Sequence, residues 1–293
     1  MKTNAIVRIV LFSIAIIMLL GILVIGLAAG LYLVDFGSSE TSHSAQSLPM
    51  ASENETNTSV VDADTIKNIE IDWVAGLITI CPDENATGIT ISETCSNSKY
   101  QMVCKSSGST LKIEYCEDSI SFPSFGITVK DTLSKDLTIT VPSDWICDTL
   151  EIDAASASVE VAGLTIEEFD FDGASGICTL LDCHVGELDL DTASGDVRFS
   201  GSLDILDCDS ASANCEISVT NLPSRISVDT ASGNLELTLP DNCGFTCSLS
   251  SLSGHFTSDF ATTSTGGNYL YGDGSCRIDV SAMSGDVTIR KGN

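Results

Sequence analysis

The sequence predicts an all-β protein: a single-stranded, right-handed parallel β-solenoid preceded by one transmembrane α-helix. Three observations predict it. A five-residue motif, Asp-x-Ala-Ser-small, recurs with its Ser every 18 to 20 positions. The residues on either side of each copy alternate apolar and polar with period two, the pattern of half-buried strands. Near the N-terminus, Ile9 to Val34 is a run of 26 residues without a charge.

That run is long enough to cross a hydrocarbon core of roughly 30 Å at about 1.5 Å per residue. Lys2 and Arg8 precede it and Asp35 follows, so the positive-inside bias places residues 1–8 in the cytoplasm and the remainder outside, as a single-pass cell-membrane protein. A cleaved signal peptide ending near Ala28-Ala29-Gly30 is the alternative, although its apolar region is ordinarily about 7 to 15 residues long. Residues 35–63 are rich in Ser, Thr, Asn and Glu with few large apolar side chains, and read as a disordered tether. Asn54-Glu55-Thr56 and Asn57-Thr58-Ser59 have the form of glycosylation acceptors, a form common by chance in such tracts.

Residues 64–145 read as an N-terminal cap and first coils, with strands around Ile69-Glu70-Ile71, Leu77-Ile78-Thr79-Ile80, Gly88 to Ile91 and Leu111 to Tyr115. A solenoid needs an atypical end to hide a sheet edge that otherwise recruits other chains. The regular coils occupy 146–293. Their motif copies are Asp153 to Ala157 with Ser156, Asp172 to Gly176 with Ser175, Asp191 to Gly195 with Ser194, Asp209 to Ala213 with Ser212, and Asp229 to Gly233 with Ser232. Weaker copies stand at Ser253-Gly254 and Ser284-Gly285. A fixed period of this length means one short unit stacked on itself.

Aligned on the Asp, the copies place Leu150/Ile152, Phe169/Phe171, Leu188/Leu190, Leu206/Cys208 and Ile226/Val228 inward before it. Val159/Val161, Cys178/Leu180, Val197/Phe199, Cys215/Ile217 and Leu235/Leu237 point inward after it. Cys147, Ile166, Val185 and Leu203 form a third apolar column. Equivalent strands of successive coils then pair about 4.8 Å apart, and each fully buried Val, Leu or Phe contributes roughly 1.5 to 3 kcal/mol. The motif itself reads as a turn. Asp would accept from backbone amides two residues on, Ser would do the same or bond to the next coil, and the last position must be small, since Ala157 and Ala213 stand where other copies have Gly. A last coil runs from Ile278 to Ile289, after a Gly/Ser/Thr-rich excursion at 257–276.

Twelve cysteines would ordinarily suggest disulfides on the outer side of a membrane. Cys178, Cys208, Cys215 and Cys247, however, fall at inward positions, where a thiol behaves as a small hydrophobe. Cys178 and Cys215 share a column two coils apart, roughly 10 Å, beyond the limit of about 7 Å for a bridge, and should stay reduced. Pairing among Cys81, Cys95, Cys104 and Cys116 stays open. No CxxC occurs and His43, His184 and His255 make no zinc spacing with the cysteines, so no metal is expected.

A net charge of −28, with 41 acidic and 13 basic residues, excludes nucleic acid as a partner, because phosphate would be repelled. The Asp column, Asp153, Asp172, Asp191, Asp209 and Asp229, is the one candidate catalytic constellation. It recurs in every coil, whereas an active site needs two or three acids in one place. A calcium ladder along it lacks the dense Gly-Gly-x-Gly-x-Asp pattern. Walker loops, nucleophile elbows and HExxH are missing too. No catalytic residue and no cofactor is therefore expected.

Several segments together resemble the bacterial putative-adhesin family, a domain of unknown function built from β-strand repeats. They are Glu70 to Ile80, Gly108 to Cys116, Lys135 to Val141 with Pro142, the Thr-Ala-Ser-Gly-Asp and Thr-Ala-Ser-Gly-Asn copies, and Met283 to Ile289. The likeness covers about residues 65 to 290, and the departures are the high Cys content and the Ala-for-Gly motif ends. The resemblance implies a solenoid, often beside a membrane segment, in surface proteins and relatives of envelope-stress proteins, with no catalytic residues. The expected function is a membrane-anchored, non-catalytic binding or scaffold module whose partner is a cell-envelope polymer or protein. A sensor or accessory regulator of envelope stress is the second reading, and a polysaccharide-acting enzyme the third. Phe260, Tyr269 and Tyr271 are the aromatic contact candidates, against lid packing.

Overall fold

A computed structural model of the chain describes residues 55–95, 101–116 and 134–292. The expected transmembrane helix and most of the tether lie outside them. No helix of the described residues is long and apolar enough to cross a membrane.

Strands dominate because the sequence alternates. The first group is β1 (Glu55–Val61), β2 (Asn68–Asp83), β3 (Ile89–Cys95), β4 (Val103–Ser107), β5 (Thr110–Glu114) and β6 (Asp136–Pro142). The regular coils comprise β7 (Ile146–Ala162), β8 (Thr165–Ser175), β9 (Cys178–Ser194), β10 (Val197–Ser212), β11 (Cys215–Val219), β12 (Arg225–Ser232) and β13 (Leu235–Leu239). The last group is β14 (Phe245–Ser253), β15 (Phe256–Ser258), β16 (Thr263–Thr265), β17 (Asn268–Tyr271), β18 (Cys276–Ser284) and β19 (Val287–Lys291).

From β7 to β13 successive coils pair parallel and in register: Leu150 beside Phe169, Phe169 beside Leu188, Leu188 beside Leu206 and Leu206 beside Ile226. The second columns stack likewise, Val159 on Cys178, Cys178 on Val197, Val197 on Cys215 and Cys215 on Leu235. The third column, Cys147, Ile166, Val185 and Leu203, is buried too. One continuous core runs along the axis, and Cys208 and Val197 point into it.

Four of the five strands that carry the motif end on its Ser, at Ser175, Ser194, Ser212 and Ser232, and only β7 runs past it. The Asp stands three positions before that end, inside the strand, which corrects the turn-cap role expected of it. Each Asp is an outward strand residue, followed by an inward position occupied by Ala154, Thr192, Ser210 or Thr230 in four of the five copies. Two of the motif serines bond to the preceding layer: Ser156 Oγ donates to Val74 O at 3.2 Å and Ser194 Oγ to Ala174 O at 3.3 Å. Smallness at the fifth position has a direct cause. A Cβ on Gly195 would lie 1.8 Å from Gly176 O, and one on Gly233 would lie 1.8 Å from Ala213 O. Beyond it runs a side-chain ladder, in which the Asn214 amide donates to Asp196 Oδ1, that of Asn234 to Asn214 Oδ1, and that of Asp286 to Asn234 Oδ1.

Both ends depart from simple succession. At the far end β18 lies between β12 and β14, and β19 between β13 and β15, all parallel. The coil expected to be last is therefore second to last in space, and β14–β15 forms the outer layer. At the near end β2 lies between β7 on one side and β5 with β6 on the other. Antiparallel strands then finish each end: β3 on β6 and β1 on β3 at one, β17 on β14 and β16 on β17 at the other. The β1 pairing also corrects the tether, since Glu55–Val61 is a strand and not part of a disordered linker.

Candidate binding face

Outward positions of the first strand of each coil bring carboxylates into two parallel columns. One holds Asp72, Asp153, Asp172, Asp191, Asp209 and Asp229, each beside the next across a parallel strand pair. The other, two residues earlier, holds Glu70, Glu151, Asp170, Asp189 and Asp207 in the same register. Neighbouring rungs are about 4.8 Å apart, the interstrand spacing, and the strands between them are anchored by buried Ile71, Ile152, Phe171, Leu190, Cys208 and Val228.

Like charges at this spacing resist ionisation together. Asp191 is pushed up to about 7 and Asp153 and Asp189 to about 6, in each case by partial burial first and then by the carboxylates of adjoining rungs. Burial also raises Glu151, Asp170 and Asp172, with neighbouring carboxylates adding to it. Cations reach the face at its two ends. Lys112 Nζ lies 3.0 Å from Asp72, and Arg225 Nη2 lies 2.5 Å from Asp207. The face opposite is mixed in sign, with Arg198 near Asp196 and Glu216 and Arg290 on Glu236 at 2.5 Å.

The predicted motif residues thus divide. Asp153, Asp172, Asp191, Asp209 and Asp229 share one face; Ser156, Ser175, Ser194, Ser212, Ser232 and Ser284 line its exposed margin; Gly176, Gly195, Gly233 and Gly285 are backbone spacers. Glu70, Asp72, Glu151, Asp170, Asp189 and Asp207 were missed by sequence reasoning. An acid two positions before the motif Asp in four of the five copies carried the signal for Glu151, Asp170, Asp189 and Asp207, while Asp229 has Ser227 there.

Phe260, Tyr269 and Tyr271 are lid residues. Phe260 is buried, its ring centroid 5.5 Å from Phe245 and 4.7 Å from Tyr271, while Tyr269 stacks on Phe256 at 3.8 Å. Burial pushes the thiols of Cys147, Cys247 and Cys276 up to about 12 and raises Cys178, which disfavours a nucleophilic thiolate at these positions at neutral pH. No group of three or more metal-ligating side chains occurs among the described residues. An open cleft of about 350 Å³ near Trp145 brings Asp64, Lys67 and Asp144 to its walls, with no nucleophile beside a base.

Residues 66–203 and, overlapping them, 146–290 match the profile of the family described as Toastrack DUF4097. Similar solved structures include a putative cell adhesion protein from Clostridium sporogenes ATCC 15579, at 10% identity over 82% of this chain and 100% of that one, TM-score 0.39. Another is a putative adhesin from Bacteroides fragilis NCTC 9343, at 15% identity over 81% and 97%, TM-score 0.47. A putative lipid binding protein from Parabacteroides distasonis ATCC 8503 aligns at 12% identity over 81% and 97%, TM-score 0.32. No curated protein matches the chain in sequence.

Proposed function

The chain belongs to the Toastrack DUF4097 family, and from that premise we propose that it is a non-catalytic binding module of the cell envelope, held outside the membrane by its N-terminal apolar segment. One observation carries this reading: two carboxylate columns in register across consecutive coils, with cations, among the described residues, at their two ends. A flat, repetitive face of one sign suits an extended cationic partner, either a basic segment of an envelope protein or a polymer bearing amines. It suits catalysis poorly, because each coil repeats the same carboxylates, whereas an active site needs two or three acids in one place. Charge of this density steers oppositely charged partners and repels anionic ones, and the effect falls with ionic strength.

The test uses the full chain in detergent micelles, titrated with polylysine and with anionic teichoic acid at low and high salt. Salt-sensitive binding of polylysine is expected, weakened at least tenfold in the triple variant Asp172→Asn, Asp189→Asn, Asp191→Asn. Equal binding of the two polymers, or no effect of the triple variant, would overturn the proposal.

A further inference from the structure

Within a single coil, Cys208 precedes the motif corner and Cys215 follows it, so the two side chains meet across the core instead of along a column. Their sulfurs are 3.5 Å apart, and both residues are buried. Adjoining coils place Leu190 and Val197, or Val228 and Leu235, at these positions. The corner therefore presents two facing core positions in each of these layers, and in this one alone both are thiols. Column spacing rules out a bridge between Cys178 and Cys215, but it has no bearing on a pair within one coil.

We propose that Cys208 and Cys215 form a redox site, closing to a disulfide that ties one coil across its own corner when the chain folds in contact with a disulfide oxidant. A disulfide needs about 2.05 Å between sulfurs, so closure requires a further approach of about 1.5 Å, within reach of a modest side-chain rotation on two facing strands. Only seven positions separate the cysteines, so they meet by a local search before other coils stack. In the step, one thiol loses its proton and attacks the oxidant's disulfide, giving a mixed disulfide and one free thiol of the oxidant. The second cysteine then loses its proton and displaces the other half. The pair gives up two electrons and two protons, and the oxidant leaves as two thiols. Closure belongs to folding rather than to the finished protein. In the packed core the hydrogen bond to Cys215, together with burial, raises the Cys208 thiol well above its ordinary value, which suppresses the thiolate that exchange requires.

Trypsin cuts after Arg198 and Arg225, and the peptide 199–225 between them contains Cys208 and Cys215 and no other cysteine. The full chain in detergent is unfolded, refolded with oxidised and reduced glutathione, alkylated in denaturant without reductant, and digested. The expected peptide is unlabelled and two hydrogens lighter than its reduced form, and it takes two labels after reduction. Two labels before reduction, a glutathione adduct, or a bond to a third cysteine would overturn the assignment. The Cys208→Val variant, which installs the residue of the neighbouring column position Val228, is expected to keep the wild-type circular dichroism spectrum and to leave Cys215 fully labelled. Protection of Cys215 in that variant would likewise overturn it.

Discussion

Lys135 Nζ and Glu93 Oε2 meet at 2.5 Å with 1% and 0% of their side chains exposed. The rest of each charged group is satisfied locally. Glu93 Oε1 accepts from the Met102 amide at 2.6 Å, Lys135 donates also to Tyr115 O, and its ammonium lies 4.6 Å from the Trp73 ring centroid and 4.1 Å from that of Tyr115. Trp73 Nε1 in turn donates to Lys135 O. This knot joins β2, β3, β5 and the start of β6, the strands that close the near end. Removing one partner leaves a buried charge uncompensated, at a cost of about 3 to 5 kcal/mol. Thermal unfolding of Lys135→Met is therefore expected to fall by roughly 10 °C, with Glu93→Leu/Lys135→Met recovering much of the loss. A Lys135→Met midpoint within a degree of wild type would refute this.

Stability should rise as the medium becomes mildly acidic. The ordinary Asp value is about 3.9, whereas folding raises Asp191 to about 7 and Asp153 and Asp189 to about 6. Between about pH 4 and pH 7 the folded state thus holds more protons than the unfolded one, so stability is lost as pH rises through that window. A midpoint several degrees higher at pH 5.5 than at pH 8 is expected in differential scanning fluorimetry. The Asp191→Asn variant should flatten the slope and melt higher at pH 8, and added salt should narrow the gap.

The spacer column predicts an asymmetry. A Cβ at Gly195 would meet Gly176 O at 1.8 Å, and its φ of +143° is one that side-chain-bearing residues rarely adopt. Gly195→Ala should cost more than about 1 kcal/mol, while Ala213→Gly, which removes a methyl from the same column, should cost less. Urea titrations of the two variants compare them directly, and equal midpoints would show that room at this position is not limiting.

The hairpin of β16 and β17 covers the β14 edge through antiparallel pairing from Phe245 to Ser248. Replacing residues 262–272 with a short Gly-Ser link bares that edge together with the ring of Phe245. Concentration-dependent association in light scattering should follow, and a monodisperse variant would refute the lid role.

The middle of the solenoid was legible in the sequence because each coil obeys one local rule. Leu150, Phe169, Leu188 and Leu206 recur at fixed offsets from a visible motif, and their burial follows from period two alone. The ends were not, for a physical reason: Cys276, Ile278 and Val280 would pack equally well on either side of Phe245 and Cys247, and nothing in an alternating strand states which neighbour it takes. The acid face was half legible. Its Asp column was visible, but reading those residues as turn caps diverted attention from Asp170, Asp189 and Asp207 two positions earlier. The Glu93–Lys135 pair gave no signal, being 42 residues apart in unrelated strands. Glu55–Val61 was hidden by composition, since a polar strand of Thr, Asn and Ser differs from a linker only in having β3 to pair with.

The seating of β18 and β19 between layers made earlier bears on how the molecule comes into being. On a ribosome, β14 and β15 emerge while the coil that belongs beneath them is still untranslated. They can meanwhile anneal directly onto β12 and β13, which offer the same alternation, and must then peel away to admit the C-terminal segment. The outermost coil accordingly takes its place only after β18 and β19 have been made, and a message truncated before Cys276 yields a chain that lacks its wedge.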